Sequence, residues 1–129
     1  MSTWQQKSPD EVYTAPEIAA RLQQDLPTWA HEDGHIIRTY QTHGWKGTLM
    51  VVNAIGHLAE AAWHHPDLVV SYATVTVKLM NHSAQGITHK DFELARKIEE
   101  VVMWQPTKQP GAALEGTPDD ARYKYIQYE

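Results

Sequence analysis

The sequence predicts an α+β fold of two layers, in which a four-stranded antiparallel sheet carries three helices on one face, in the order α-β-β-α-β-β-α. Two observations lead to this prediction. Three segments repeat apolar residues at the spacing of amphipathic helices, and the segments between them are rich in β-formers or alternate as half-buried strands do. Turn sequences join the strands in pairs, and antiparallel pairs with helices packed on one face form a common two-layer core.

The composition is that of one soluble globular domain. The 129 residues, 42% hydrophobic and 21% charged, suffice for a single core and are too apolar for a disordered chain. No segment has the length of apolar residues that spans a bilayer, and the N-terminus lacks the pattern of a signal peptide, so we expect a cytoplasmic protein without a membrane partner. The net charge of -5, without a basic run, argues against a nucleic-acid partner.

The absence of cysteine removes disulfides, thiol nucleophiles and thiolate metal sites. Eight histidines are many for this length, and their protons are mobile near neutral pH. Any chemistry is therefore expected from histidine and carboxylate side chains.

The first helix follows a polar lead-in of residues 1–13 and opens a domain of residues 14–104. Thr14 and Glu17 have the spacing of a capping box, which predicts a helix from here to about Gln24. Its inward residues are predicted to be Ile18, Leu22 and Leu26.

A hairpin and a long helix come next. Glu32-Asp33-Gly34 has turn chemistry ahead of His35–Thr42, which predicts a pair of strands. Gly44 ends the hairpin, and the apolar spacing from Trp45 predicts a helix of about five turns that stops near His64 because of Pro66. The residues predicted to face inward are Trp45, Leu49, Val52, Ile55, Leu58, Ala59 and Ala62.

The region Leu68–Asn81 alternates and is longer than a usual strand, so a tight turn is predicted at 72–74. The same alternation assigns His82 to the polar face, away from the core. The apolar face is predicted to comprise Val69, Ala73, Val75, Val77 and Leu79.

The last helix is predicted from a second cap at Thr88–Asp91 to about Met103, with Phe92, Ala95, Ile98 and Val102 inward. Proline and glycine then mark residues 105–129 as a linker with an aromatic tail. Because a disordered tail rarely holds three tyrosines in six residues, we predict that Tyr123–Tyr128 docks as an extended strand on this subunit or on a partner.

A cluster able to do chemistry is predicted where element ends meet at one edge of the sheet. His64 and His65 leave a helix, His82 ends a strand, Asp91 starts a helix, and Glu60 lies one turn before His64, whose ring it can orient. Imidazoles in one cleft perform general acid-base catalysis at neutral pH.

Structural explanations stand beside the functional one. A His-His-Pro run also serves as a helix stop, Asp91 as the third residue of a capping box, Glu60 as a solvated helix charge, and Trp29 as a core residue. The spacing of the histidines matches no zinc motif, and no phosphate-binding loop is present, so neither a metal nor a nucleotide cofactor is predicted.

The sequence resembles the pterin-4a-carbinolamine dehydratases from about Ile18 to Val102. The likeness includes Trp29, the Ile-x-Arg-x-Tyr strand at Ile36–Tyr40, and Gly86-Ile87-Thr88. The pattern of that family is an acidic residue, three spacers, His-His-Pro, an aromatic, a later histidine and an aspartate. Here it is met by Glu60, His64, His65, Pro66, Tyr72, His82 and Asp91.

The resemblance implies a homodimer or homotetramer that converts 4a-hydroxytetrahydropterin into quinonoid dihydropterin, as in the recycling of tetrahydrobiopterin, without a metal or other cofactor. It implies catalysis by His64, His65 and His82. The residues implied to support or bind the substrate are Glu60, Asp91, Pro66, Tyr72 and Trp29.

The extension after Trp104, with Leu-Glu-Gly-Thr-Pro at 114–118, is not part of the usual dehydratase. It resembles instead the dehydratase-like proteins of α-carboxysomes, which are thought to assist the assembly of Rubisco and in which a complete motif need not mean activity. Rubisco is therefore an alternative partner. A role as dimerisation cofactor of a transcription factor is a third expectation from the wider family.

Overall fold

A computed structural model describes residues 7–129 and confirms the predicted fold. The elements are α1 (Ala15–Asp25), β1 (Ala30–Glu32), β2 (His35–Gln41), α2 (Trp45–Ala62), β3 (Asp67–Ser71), β4 (Thr74–Leu79), α3 (His89–Val102) and a 3₁₀ turn at Pro106–Lys108. Within this part of the chain, no helix combines the length and the apolar character needed to cross a membrane.

The four strands form one antiparallel sheet in the order β1-β2-β4-β3. The β1–β2 hairpin turns at Asp33 and Gly34, which have positive φ of 50° and 76°, the conformation of a tight two-residue hairpin turn. The pairing of β2 with β4 places Ile36 opposite Leu79 and Gln41 opposite Thr74. One end of the sheet therefore lies at Ile36 and Leu79, and the opposite end lies at Gln41 and Thr74.

The turn predicted at residues 72–74 lies at Tyr72 and Ala73, between β3 and β4. The predicted inward position of Val69 is wrong: Val69 pairs with Thr76 on the outer face and is half exposed, whereas Val70 pairs with the buried Val75. Because the hairpin turn has two residues, opposite partners such as 70 and 75 differ by an odd number, and a single alternation cannot continue through it.

Helices α1 and α3 pack as predicted. The capping box of α1 is complete, since the backbone N–H of Glu17 donates to Oγ1 of Thr14 and the N–H of Thr14 donates to Oε1 of Glu17. The inward residues of both helices are buried, and they are Ile18, Leu22, Leu26, Phe92, Ala95, Ile98 and Val102. Tyr13, placed by the sequence in the lead-in, is also buried and packs edge-on against Phe92; residues 1–6 of that segment lie outside the described part.

The inward face of α2 agrees with the prediction at Ile55 and Ala59 but differs from it at the start of the helix. Trp45 and Leu49 are 50% and 40% exposed, and the buried residues include Thr48 and Val51 beside Ile55 and Ala59. Two apolar rows run along this helix, and periodicity alone does not say which of them meets the sheet. The outer row, which begins at Trp45 and Leu49, is left facing solvent.

A partly buried carboxylate, that of Glu99, bonds to three side chains on the far side of the core. Oε1 of Glu99 on α3 accepts from Nε1 of Trp29 at 3.0 Å, Nε of Arg38 at 3.1 Å and the hydroxyl of Tyr40 at 2.8 Å. Burial, together with the neighbouring Glu99, raises the pKa of Tyr40 far above its usual value. Trp29 is 4% exposed and belongs to this cluster.

The tail docks on its own subunit, as predicted, but through a single antiparallel bridge between Ile126 and Thr42 rather than a strand. The N–H of His43 donates to the carbonyl of Tyr125, the N–H of Gln127 donates to the carbonyl of Gln41, and Ile126 is buried. The tail passes so close to α2 that a Cβ at Gly47 would lie 2.1 Å from the carbonyl oxygen of Tyr125. Only glycine fits at that position.

Candidate active site

The end of α2 positions two of the candidate histidines, His64 and His65. Trp63 adopts the left-handed conformation with φ 53° and ψ 47°, its N–H donates to the carbonyl of Glu60, and the N–H of His64 donates to the carbonyl of Ala59. This pair of bonds is the Schellman arrangement that closes a helix, and Pro66 prevents any continuation. The chain turns away from the helix axis at His64, towards α3.

His64 meets Asp91 across the fold. Its Nε2 lies 2.6 Å from Oδ1 of Asp91, a carboxylate that is 0% exposed, while Oδ2 of Asp91 accepts from the backbone N–H of Thr88 at 2.8 Å. Asp91 therefore caps α3 through one oxygen and contacts the imidazole of His64 through the other. The side chain of His64 is 15% exposed.

Glu60 contacts His65 rather than His64, which corrects the predicted pairing. Oε1 of Glu60 lies 2.7 Å from Nε2 of His65. The four-residue spacing to His64 requires a continuous helix, and the left-handed Trp63 ends the helix before that position. Both partners are largely exposed, at 48% for His65 and 69% for Glu60, so this pair is more mobile and better solvated than the buried one.

His82 lies in a short loop that follows β4. Strand β4 ends at Leu79, so the alternation used to place His82 does not extend to it, although the residue is exposed as expected. The preceding Asn81 donates from Nδ2 to Oγ1 of Thr88 at 3.2 Å and pairs with Gly86. The residue before His82 is therefore bonded to Thr88 at the start of α3. Asp91, which contacts His64, lies in the first turn of the same helix.

Two predicted supporting residues lie elsewhere in the fold. Tyr72 is in the β3–β4 turn, where its carbonyl accepts from Oγ1 of Thr48 near the start of α2. Trp29 is enclosed in the Glu99 cluster. The structure does not bring either side chain together with the histidines, whereas Pro66 stands directly after His65 and shapes the exit from α2.

The docked tail lies far from the histidines. Its backbone bonds go to Gln41 and His43, at the end of the sheet where α2 begins. The 18 residues of α2 separate that point from His64 by roughly 27 Å. A cavity of about 860 Å³ does form between the tail, Trp104 and His43, but its lining includes none of the three candidate histidines.

The arrangement suits proton transfer. The rings of His64 and His65 each have Nε2 in hydrogen-bond contact with a carboxylate oxygen, which restrains the orientation of the ring. A protonated imidazole can donate a proton and a neutral one can accept it, which are the two roles that general acid-base catalysis requires.

Sequence reasoning named Thr88 as a helix cap but did not predict the contacts that hold the site together. Oγ1 of Thr88 accepts a hydrogen bond from Nδ2 of Asn81, and the backbone N–H of Thr88 donates to Oδ2 of Asp91. Trp63 supplies the left-handed turn that ends α2. The capping-box spacing at 88–91 was a signal for Thr88, but its bond to Asn81 depends on a loop whose path the pattern does not show. No signal marks Trp63, because the left-handed position is normally taken by glycine.

Comparison with known proteins gives the same assignment along most of the chain. The family described as "Pterin 4 alpha carbinolamine dehydratase" matches residues 11–101. A provisionally named pterin-4-alpha-carbinolamine dehydratase of Aquifex aeolicus is 48% identical over 86 residues, which cover 67% of this chain and 87% of the relative. One from Nocardia farcinica, also provisionally named, is 40% identical over 91 residues, covering 70% and 95%.

A solved structure is similar in fold. The crystal structure of a transcriptional coactivator/pterin dehydratase from Brucella melitensis aligns with a TM-score of 0.66 at 26% identity, over 71% of this chain and 99% of that one. The matches to both relatives span at least 87% of their length, and residues 105–129 lie beyond the family match.

Proposed function

Since the chain belongs to the pterin-4-alpha-carbinolamine dehydratase family, we propose that it removes water from 4a-hydroxytetrahydropterin to give the quinonoid dihydropterin. We assign binding and proton transfer to His64, His65 and His82, with Asp91 and Glu60 in support. The observation that carries this assignment is the contact of His64 with the fully buried Asp91.

The proposed reaction needs only two proton transfers. The bond between C4a and its hydroxyl oxygen breaks, and the hydroxyl leaves as water with a proton from an imidazolium. A neutral imidazole takes the proton of a ring nitrogen, and a C=N bond forms. No second reactant is needed, because the proton given to the hydroxyl and the proton taken from nitrogen balance.

The buried Asp91 supports the proposal that the His64 ring is held in a fixed orientation for catalysis. A carboxylate that is removed from water is costly unless it is hydrogen-bonded, and the two oxygens of Asp91 are bonded to the N–H of Thr88 and the ring of His64. The pair therefore holds the ring in one orientation before a substrate arrives. Such preorganisation lowers the barrier, since the catalytic group need not be ordered during the reaction.

The test is the decay of 4a-hydroxytetrahydropterin, followed by absorbance against its spontaneous loss in buffer. We expect His64→Ala and His82→Ala to reduce the acceleration by about 10² to 10⁴, the range of general acid-base groups. His57→Ala is the matched control, because His57 is an exposed histidine of α2 away from the helix end. Wild-type protein no faster than buffer would refute the proposal.

We propose that the protein forms a homo-oligomer and that the exposed apolar row of α2 is the interface between its subunits. Trp45, Leu49 and Met50 are 40% to 50% exposed on this helix, and exposed apolar patches of this kind mark protein contacts. Gel filtration with light scattering tests it, since Leu49→Glu should reduce the mass of an oligomer that uses this row.

Assistance in Rubisco assembly is a second candidate function, favoured by the extension. Residues 105–129 lie outside the family match, and they add exposed apolar side chains at Leu114 and Tyr123. Deleting residues 105–129 should then reduce the yield of soluble Rubisco on co-expression, while His64→Ala should not. An unchanged yield with and without the protein would exclude this function.

A further inference from the structure

We propose that Trp63 is the aromatic wall of the histidine site and packs against the planar ring of the pterin, an inference that rests on the proposed function. Trp63 lies between the helix that carries Glu60 and the histidines at 64 and 65. It would act as a binding and specificity residue rather than as an acid or base.

The backbone at Trp63 is the first reason. Its φ of 53° and ψ of 47° lie in the left-handed region, and its hydrogen bonds place it at the helix-ending position that glycine usually takes. A bulky side chain is strained there, because its Cβ comes close to the following carbonyl oxygen. Strain of this type persists most often at functional sites.

The side chain is the second reason. Trp63 is 76% exposed, more than any other large apolar side chain in the part of the chain that the structure describes, so the indole contributes little to the core. A strained backbone and a largely exposed side chain both weaken the fold, and the edge contact of the indole with His65 buries little of its surface in return. The indole is therefore better explained by a ligand than by folding.

The contact with His65 is the third reason and indicates the ligand. The two rings meet edge to face, with centroids 5.0 Å apart and planes at 84°. This contact holds the indole beside the imidazole that Glu60 orients and leaves most of its surface to solvent. A flat heterocycle that reaches the imidazoles has the indole as its neighbour, and stacking on tryptophan suits flat aromatic rings in general.

Binding of oxidised biopterin tests the proposal apart from turnover, because this pterin is planar and has no 4a-hydroxyl to lose. By calorimetry we expect Trp63→Gly to raise the Kd about tenfold, the usual contribution of one stacked ring, and Trp63→Phe to stay within about threefold of wild type. Trp104→Ala is the control, since Trp104 is 50% exposed at the other end of α3 and should leave the Kd unchanged.

If Trp63 served only the fold, Trp63→Gly would lower the Tm, whereas the proposed binding role predicts a higher Tm together with weaker binding. Glycine relieves the left-handed strain, so Trp63→Gly should raise the Tm by about 3 °C while it weakens binding. In the dehydration assay the same variant should raise KM and leave kcat within about threefold, because the histidines are intact. A lower Tm, an unchanged Kd, or a loss of binding that follows a change in oligomer mass would overturn the proposal.

The outcomes also separate this inference from the dehydratase assignment. If wild-type protein does not accelerate dehydration but binds biopterin in a Trp63-dependent way, the catalytic assignment fails and the aromatic wall stands. If turnover is normal and Trp63→Gly changes neither Kd nor KM, the aromatic wall fails alone.

Discussion

Replacing Gly47 by alanine tests how the tail is held. In an ordinary helix this change stabilises, because alanine is the better helix former by about 1 kcal/mol. Here the new Cβ would lie 2.1 Å from the carbonyl oxygen of Tyr125, well inside the 3.0 Å that real Cβ contacts respect. The carbonyl must move by about 1 Å, and its hydrogen bond from the N–H of His43, now 3.1 Å, must lengthen or break.

The expected magnitude follows from what the tail loses. One backbone hydrogen bond contributes about 1 kcal/mol net, and burial of Ile126 contributes about 2 kcal/mol, partly offset by the chain entropy that a released tail regains. We expect Gly47→Ala to lower the free energy of unfolding by about 1 to 2 kcal/mol. Gly56→Ala, in the same helix with open space at its Cβ, should raise it by about 0.5 to 1 kcal/mol.

The assay is urea unfolding followed by tryptophan fluorescence, with trypsin as a second measurement. A released tail should be cut faster after Lys124 in Gly47→Ala than in wild type or Gly56→Ala. Ile126→Asp provides the cross-check, because once the tail is detached Gly47→Ala should stabilise as Gly56→Ala does. If Gly47→Ala stabilises the intact protein and leaves cleavage unchanged, the tail does not dock as described.

Three further changes test the core and the caps. Since burial holds the phenol of Tyr40 protonated in the fold, its contribution to stability is complete below pH 10 and falls as the pH rises above 10, so the Tm should decline less steeply in Tyr40→Phe than in wild type. Thr14→Ala removes the acceptor for the N–H of Glu17 and should cost about 1 kcal/mol in urea unfolding, with m unchanged. Thr48→Val leaves the β3–β4 turn carbonyl without its donor and should cost about 1 to 3 kcal/mol by the same measurement.

Local signals explain why most of the fold could be predicted. The box at Thr14 and Glu17 fixes a helix start within four residues, and the turn at Asp33 and Gly34 fixes a hairpin within three. Such signals depend only on neighbours in sequence, so they remain valid whatever the rest of the chain does. The element order followed from them.

The errors arose where the answer depends on distant contacts. Trp45 and Thr48 are neighbours on α2, one exposed and one buried, and only the position of the sheet decides where the edge of the buried face lies. Glu60 and His64 have the right spacing for a helix pair, but the left-handed Trp63 sends the chain elsewhere. The partner of His64 lies 27 residues away at Asp91, a distance over which spacing carries no information.

The buried Arg38 shows a long-range contact that the pattern does contain. Alternation in β2 places Arg38 between Ile36 and Tyr40 on the inward face, and a buried guanidinium requires a carboxylate partner. Glu99 supplies it from the inward side of α3. Comparing the inward polar residues of all elements would have suggested the Arg38–Glu99 pair. It would not have suggested that Trp29 and Tyr40 also bond to Glu99.

The separation of the tail from the histidines makes the two candidate functions independent in experiment. Because α2 holds them roughly 27 Å apart, a change at Gly47 that releases the tail has no direct route to His64 or Asp91. Gly47→Ala should therefore retain dehydration of 4a-hydroxytetrahydropterin at the wild-type rate even as trypsin removes its C-terminus. If the rate falls with tail release, the tail must act on the site through α2, and the extension would then regulate the enzyme instead of serving a second partner.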